Sequence, residues 1–233
     1  MRARIVVPAR NESASLPQLL AELAAVCPLA DVLVVDDAST DETAALLRSA
    51  GVPHLRLRLP VGVGGAMRAG LRAARRDGYD AAVRLDGDGQ HPPAAIAPLL
   101  AELRRGADAV QARRDPTGYR AGAGRRALAA FVRAWLAGPL GRRAADPTSG
   151  LWAFGPRALA LLSEEHPRGY PEPALLLLLE RRGLRVAEIP VAMRARSAGH
   201  SSLTLPRAAL ALWCVALSTA TMPRRRPAAL SHG

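Results

Sequence analysis

The chain has 233 residues and a formal charge of +12, and arginine carries all of its positive charge because no lysine occurs. This length allows one large domain or two small ones with a substantial core, and the two distant cysteines indicate neither a disulfide framework nor a zinc site. Arginine binds phosphates and carboxylates through its planar guanidinium, so the charge favours anionic ligands, nucleic acid or an anionic membrane surface. Two phenylalanines and three tyrosines leave few side chains for stacking on bases, which argues against a nucleic-acid-binding protein.

The first 85 residues alternate between short apolar runs and segments with helical spacing. We predict strands over 5–7, 31–35, 54–59 and 81–85, and helices over 13–26, 42–50 and 62–76. Strands of continuous apolar residues separated by helices are typical of an α/β domain with a mostly parallel central sheet. In such sheets, ligands bind outside the carboxyl ends of the strands.

Polar or glycine-rich segments follow each of the first three predicted strands. Residues 8–12 form the first segment and residues 36–41 the second. We predict that Asp36 binds a nucleotide and that residues 39–41 cap the following helix. The glycines of residues 62–70 allow backbone amides to approach an anion, or they allow close packing of the helix, and both interpretations stay open.

The sequence Asp-Gly-Asp-Gly-Gln-His follows the fourth predicted strand, at 86–91. The glycines free the backbone, so Asp86 and Asp88 can both turn towards one point outside the sheet. Carboxylate oxygens are the ligands that Mg²⁺ and Mn²⁺ prefer, and these cations usually keep phosphate or water ligands as well. An ordinary turn is the alternative, because aspartate and glycine are common turn residues.

The second half of the chain contributes arginines and a C-terminal apolar segment. We predict strands over 109–112 and 185–191, helices over 125–140 and 174–180, and a substrate-covering loop over 115–124. We interpret Arg114 and Arg125 as part of a solvated basic face of the protein. Residues 208–222 are mostly apolar but shorter than the roughly 20 residues that span a bilayer, and three arginines follow. They predict a helix that lies in the membrane interface or packs on protein.

Four segments occur in a fixed order: VVPARNE at 6–12, VVDDASTD at 34–41, GVGGAMRAG at 62–70 and DGDGQHP at 86–92. Together they resemble family 2 glycosyltransferases of the GT-A fold, and within that family the dolichyl- and polyprenyl-phosphate sugar synthases. The resemblance covers residues 3–204, with further matching stretches at 146–150 and 193–202. Pro60 departs from the pattern, because members often carry asparagine there. Val63 also departs, because some relatives have a basic residue at that position.

The resemblance implies a GDP- or UDP-linked sugar donor and a Mg²⁺ or Mn²⁺ ion. It also implies that Glu172 lies near the active site, although a helix-dipole charge is the alternative there. For the nucleotide, the resemblance implies Pro8, Arg10, Glu12, Asp36, Gly64 and Asp86. For the metal, it implies Asp86, Asp88 and Gln90. For catalysis, it implies Asp88, Asp146, Arg113 and Arg126, and the two arginines would contact an acceptor phosphate.

We therefore expect an inverting, metal-dependent glycosyltransferase that moves one sugar to a polyprenyl phosphate. Residues 1–205 would form the catalytic domain and residues 206–233 a C-terminal helix with a basic tail, whose first part contacts the membrane. The chain start leads into a strand without a signal peptide, so we expect a cytoplasmic protein, peripheral at the inner face of the membrane. The nearest alternative is a soluble glycan or small-molecule hydroxyl acceptor, with Asp146 or Glu172 as the base. From another class, the alternative is a basic nucleic-acid-binding protein.

Overall fold

The structure is a computed structural model that describes residues 1–115, 123–140, 146–167 and 171–194. Its strands are β1 (Ala3–Ala9), β2 (Val32–Asp36), β3 (His54–Arg56), β4 (Ala81–Arg84), β5 (Ala109–Arg114), β6 (Trp152–Phe154) and β7 (Val186–Val191). Its helices are α1 (Leu16–Ala24), α2 (Thr43–Ser49), α3 (Gly62–Arg76), α4 (Ile96–Arg104), α5 (Ala123–Leu140), α6 (Pro156–Glu165) and α7 (Pro171–Arg181). This order confirms the predicted α/β class.

The described strands form one sheet in the order β3-β2-β1-β4-β6-β5-β7. Each pairing in it is parallel except the two that β6 makes with β4 and β5. The carboxyl ends of parallel strands lie at the same edge of a sheet. The loops that follow β1, β2 and β4 therefore meet at that edge.

Two apolar cores cover the two faces of the sheet. Successive side chains of a strand point to opposite faces, so in β1 Val7 packs with α1 while Val6 packs with α3. On the face of the sheet covered by α1, the apolar side of this helix is buried, namely Leu16, Leu19, Leu20 and Leu23. Burial on both faces explains why the central strands consist of continuous apolar runs.

Helix α3 lies closer to the sheet than a side chain at position 70 would allow. A Cβ atom on Gly70 would lie 2.4 Å from Cγ1 of Val6 and 3.1 Å from Cγ2 of Val35. The close-packing interpretation is therefore confirmed for Gly70.

Several predicted boundaries were wrong. β1 continues through Pro8, which stays in register opposite Val35, and β3 ends at Arg56 rather than at residue 59. β6, α4 and α6 were not predicted. The apolar run of β6 is too short to separate from a turn, whereas α4 and α6 carry helical spacing that our prediction missed. The predicted domain boundary at 205 and the helix beyond it lie outside the described residues. Among the helices that the structure describes, none is long and apolar enough to cross a membrane.

Candidate active site

The loops after β1 and β2 hold each other through hydrogen bonds between side chains and backbone. Asn11 Oδ1 accepts from the backbone N–H of Thr40 at 2.9 Å, and Ser39 Oγ accepts from the backbone N–H of Asn11 at 3.0 Å. Asp41 does act as a cap, because its Oδ1 accepts from the backbone N–H of Thr43 at 3.0 Å. The helix-cap interpretation was therefore wrong for Ser39 and Thr40, which fix the two loops to each other.

Asp36 ends β2 with a fully buried side chain. Its Oδ1 accepts from the backbone N–H of Ser39 at 2.8 Å, whereas its Oδ2 has no hydrogen-bond partner in the described structure. Arg56 is the nearby cation, with its Nε 3.5 Å from that oxygen. An unsatisfied buried acceptor costs free energy of folding, and a ligand that donates to it removes the cost. Asp36 thus offers a site for a ligand N–H or O–H.

The neighbouring Asp37 caps the start of α3. Its Oδ1 accepts from the backbone N–H of Val61 at 2.7 Å, and its Oδ2 accepts from that of Gly62 at 2.9 Å. The Asp37 carboxylate therefore occupies two backbone N–H groups at the start of α3, so these two groups do not bind a ligand anion as the anion-binding interpretation required. Gly64 is buried in the first turn of α3, and its role towards a nucleotide stays a prediction.

The loop after β4 lies against the loop after β1. A Cβ atom on Gly87 would lie 3.4 Å from the backbone oxygen of Pro8 and 3.5 Å from Cγ of Glu12, which is van der Waals contact. Asp88 is buried, and its Oδ1 accepts from the backbone N–H of Gln90 at 3.1 Å. The structure therefore brings several of the predicted nucleotide- and metal-binding positions to one place.

His91 is a buried residue of this loop that sequence reasoning missed. Its Nδ1 accepts from the backbone N–H of Asp86 at 3.1 Å, which leaves the ring proton on Nε2. Burial lowers the pKa of His91, and the charges of Arg84 and Arg114 act in the same direction, although Asp86 and Asp88 oppose them. The neutral imidazole therefore supports the backbone between β4 and the aspartates.

Arg84 lies in β4, with a side chain that is only 2% exposed. Its Nε donates to Oδ1 of Asp86 at 3.1 Å, and its Nη2 donates to Oε1 of Glu172 at 2.8 Å. Burial alone would lower the pKa of Arg84, but the two carboxylates outweigh it and raise the pKa. The family resemblance implied that Glu172 lies near the active site, whereas nothing in the sequence indicated that an arginine 88 residues away would bind it.

Asp146 is buried beneath Arg114. Its Oδ2 accepts from the backbone N–H of Arg114 at 3.2 Å, and its Oδ1 accepts from the hydroxyl of Thr148 at 2.9 Å and from Nη1 of Arg114 at 3.4 Å. The interpretation of Arg114 as part of a solvated basic face was therefore wrong. The action of Asp146 on an acceptor stays a prediction.

The remaining predicted site arginines are Arg10, Arg113 and Arg126. Arg10 is exposed at the end of β1, and Arg113 is half-buried near the end of β5. The backbone of Arg126 lies within α5, but its side chain is outside the described part of the chain, as are residues 116–122 of the predicted covering loop.

The carboxylates after β4 suit a hard divalent cation. The roles of Asp86, Asp88 and Gln90 as metal ligands stay a prediction, and the backbone oxygen of Gln90 accepts from the N–H of Arg194 at 3.0 Å. Within the described residues, no group of three His, Cys, Asp or Glu side chains could hold a metal ion by itself. A cation here would complete its shell with phosphate and water oxygens, as Mg²⁺ usually does. The residues present fit such a cation.

Comparison with known proteins decides the family. The model described as glycosyl transferase family 2 matches residues 4–165. The chain belongs to glycosyltransferase family 2. The predicted family and the predicted enzyme class are both confirmed.

Two curated relatives of this family 2 glycosyltransferase align over most of its length. The undecaprenyl-phosphate mannosyltransferase of Micrococcus luteus is 31% identical over 214 residues, which cover 88% of each chain. The polyprenol monophosphomannose synthase of Mycolicibacterium smegmatis is 31% identical over 215 residues, which cover 87% of this chain and 81% of the relative.

A solved structure confirms the predicted GT-A fold of this glycosyltransferase. Glucosyl-3-phosphoglycerate synthase from Mycobacterium tuberculosis, in complex with Mn²⁺, uridine diphosphate and glucosyl-3-phosphoglycerate, superposes with a TM-score of 0.74 at 25% identity. The match covers 95% of this chain and 81% of the synthase.

Proposed function

We propose that this family 2 glycosyltransferase moves a single sugar, with inversion, from a GDP- or UDP-linked donor to a polyprenyl phosphate. The observation that carries this proposal is the similarity to two enzymes whose names contain undecaprenyl phosphate and polyprenol monophosphomannose. Each aligns with more than four-fifths of the chain, at 31% identity. The similarity therefore extends beyond the donor-binding motifs into the half of the chain where an acceptor would bind.

The nucleotide would bind at the edge formed by the loops after β1, β2 and β4. The unsatisfied Oδ2 of Asp36 supports this assignment, because it offers a buried acceptor to a base or ribose donor. Pro8 and Glu12 lie beside Gly87 at the same edge, and Arg10 is exposed between them in the chain, where we propose that it binds the donor.

Asp86, Asp88 and Gln90 would hold Mg²⁺ or Mn²⁺ beside the donor pyrophosphate. When bound, the cation supplies positive charge that stabilises the negative charge developing on the departing nucleoside diphosphate. The presence of Mn²⁺ with uridine diphosphate in the similar synthase supports this assignment.

The acceptor phosphate would need orientation more than activation. A phosphate oxygen is already an anion, so no strong general base is required, and bidentate arginines neutralise and position it. Arg113 and Arg126 are the arginines that we propose for this role, with Asp146 fixing the adjacent turn through Arg114.

An exposed apolar patch supports a lipid acceptor. On α5, Phe131 is 53% exposed and packs edge-on against Trp135, with ring centroids 6.2 Å apart. Phe131, Ala134 and Trp135 line an open apolar depression. We place the protein at the cytoplasmic face of a membrane, with residues 206–226 as its peripheral contact.

A small-molecule acceptor is the second candidate, because the similar synthase was solved with glucosyl-3-phosphoglycerate. An acceptor hydroxyl, unlike a phosphate, would need a base such as Asp146 or Glu172. Incubation with GDP- and UDP-linked radiolabelled sugars, Mn²⁺ and either undecaprenyl phosphate or phosphoglycerate separates the candidates. Label in the organic phase supports the lipid acceptor, and label only in a soluble phosphorylated glycoside supports the second candidate.

Replacement of Asp88 tests the metal assignment. We expect Asp88→Asn to lower kcat by about 10²- to 10³-fold, because a charge that stabilises the leaving group is lost. Steady-state turnover measures this effect, and circular dichroism checks that the fold is retained. Asp77→Asn, at an exposed position after α3, is the matched control and should keep wild-type turnover. Wild-type turnover of Asp88→Asn would refute the assignment.

A further inference from the structure

We infer that Arg84 is a positioning residue, which fixes the orientation of the Asp86 carboxylate and ties it to α7 through Glu172. The inference rests on the proposed donor site, because it assigns a role to a buried guanidinium that lies between that site and α7. Arg84 would not touch the donor. It would act through Asp86.

The guanidinium uses separate nitrogens for the two carboxylates. Nε binds Asp86 at 3.1 Å and Nη2 binds Glu172 at 2.8 Å, so the planar fork sets the angle between the two groups. The Glu172 side chain is 11% exposed, and it therefore has little water to replace a lost partner. Glu172 lies in the first turn of α7, which makes the contact a link between this helix and the end of β4.

Asp86 is also restrained from two other directions. A Cβ atom on Gly150 would lie 2.5 Å from Oδ2 of Asp86 and 3.2 Å from Nη2 of Arg84, so the backbone of Gly150 lies directly against this ion pair. The backbone N–H of Asp86 is held by Nδ1 of His91. Arg84 on one oxygen, Gly150 beside the other and His91 on the backbone together leave the carboxylate little freedom to rotate.

The charges explain why the cluster suits a cation site. One guanidinium faces two carboxylates, so the group keeps a net negative charge and still attracts a cation. A lysine at position 84 would carry the same charge, but its ammonium is a compact point charge that lacks the planar fork spanning Asp86 and Glu172. The geometry, and not only the charge, therefore depends on arginine.

The test is calorimetric titration with uridine diphosphate and guanosine diphosphate, each with and without Mn²⁺. For the nucleotide that the wild type binds, we expect Arg84→Lys to reduce the Mn²⁺-dependent gain in affinity by about 10- to 100-fold, the usual effect of removing a group that orients a ligand. Metal-free affinity should fall by a smaller factor than the Mn²⁺-dependent gain, because Asp36 and its loop are untouched and only the contribution of Asp86 is disturbed. The double variant Arg84→Gln with Glu172→Gln removes one charge of each sign and should show the same loss.

Arg4→Lys is the matched control. Arg4 is also a buried arginine of the sheet, but it lies at the start of β1 and donates to the hydroxyl of Tyr79 and the backbone oxygen of Ala30, both at 2.8 Å. This variant should lower the melting temperature and keep the full Mn²⁺-dependent gain.

Two results would overturn the inference. The first is a full Mn²⁺-dependent gain in folded Arg84→Lys or in the double variant. The second is failure of both variants to fold, which would make Arg84 a residue of stability alone. A wild-type protein that binds neither nucleotide in the presence of Mn²⁺ would instead refute the proposed function, and the inference with it.

Discussion

Ala38 adopts a left-handed backbone, with φ of 55°, between Asp36 and the loop that contacts Asn11. This region is unfavourable for a residue with a Cβ atom, and it persists only where the surroundings fix it. Here the fixing contacts are known, because Asp37 on one side binds the start of α3 and Ser39 on the other side binds Asp36. The contacts that hold the two site loops therefore also impose the left-handed conformation on Ala38.

Replacement of Ala38 by glycine should relieve that strain. The left-handed conformation destabilises the folded state by about 1–2 kcal/mol when the residue is alanine. Glycine removes this strain, but its greater freedom in the unfolded chain offsets up to about 1 kcal/mol of the gain. We therefore expect Ala38→Gly to raise the free energy of unfolding by about 0.5–1 kcal/mol in urea titrations. Ala45→Gly, at an exposed position inside α2, is the control and should lower it by about 1 kcal/mol. Destabilisation of both variants would contradict the strain at Ala38.

Helix α6 ends at a buried histidine. His166 donates from Nδ1 to the backbone oxygen of Pro167 at 3.0 Å, while its Nε2 has no hydrogen-bond partner in the described structure. Burial lowers the pKa of His166 to about 4, and the charges of Arg84 and Arg68 contribute in the same direction, although the bond to Pro167 opposes them. The end of this helix is therefore sensitive to acid.

The stability of the protein should fall as the pH falls from 6.5 towards 4. In this window the unfolded chain binds a proton at this histidine and the folded chain does not, so acid favours unfolding by about 1.4 kcal/mol for each pH unit. We expect His166→Asn, which keeps a donor near the Nδ1 position, to lose less free energy of unfolding than the wild type between pH 7.5 and 5.5. Urea titrations at both pH values measure the difference. Equal losses would show that His166 does not titrate in this way.

At the scale of the whole molecule, the membrane contact that we propose would depend on charge and apolar surface. The formal charge is +12, and Phe131 and Trp135 present apolar rings on α5. Residues 206–226, which lie outside the described part of the chain, add an apolar segment followed by Arg224, Arg225 and Arg226. Basic residues near an anionic bilayer contribute about 1 kcal/mol each.

Neutralising the three C-terminal arginines should weaken binding to anionic vesicles. We expect the triple change to glutamine to reduce co-sedimentation affinity by about 10- to 100-fold at low salt, and to have no effect on neutral vesicles, which lack the attracting charge. The matched control changes Arg72, Arg76 and Arg104, all exposed on the catalytic domain, to glutamine. Equal losses in both triple variants would show that net charge, rather than the C-terminal segment, drives binding.

The sequence by itself determined the fold class, the family and the position of the loops that form the candidate site. Apolar runs predicted six of the seven described strands, and strand order along the chain placed the segments after β1, β2 and β4 at one edge. These features could be predicted from the sequence because they depend on local patterns, namely the periodicity of strands and helices and short motifs at the ends of strands. The exception was β6, whose three residues stand between a turn and a helix, whereas the equally short β3 lies within a longer run over 54–59.

Only the tertiary structure decided which side chains hold the site together. Asp37 binds the start of α3, Arg114 covers Asp146, and Arg84 joins Asp86 to Glu172. Each contact links segments that the sequence separates, and each depends on register and burial, which a local pattern does not contain. Oδ2 of Asp36 is a similar case, since the absence of a hydrogen-bond donor to it in the described structure becomes visible only when the neighbouring residues are in place. A buried charged side chain destabilises the protein unless an oppositely charged or hydrogen-bonding group lies within a few ångströms. The tertiary fold determines which residue provides that group.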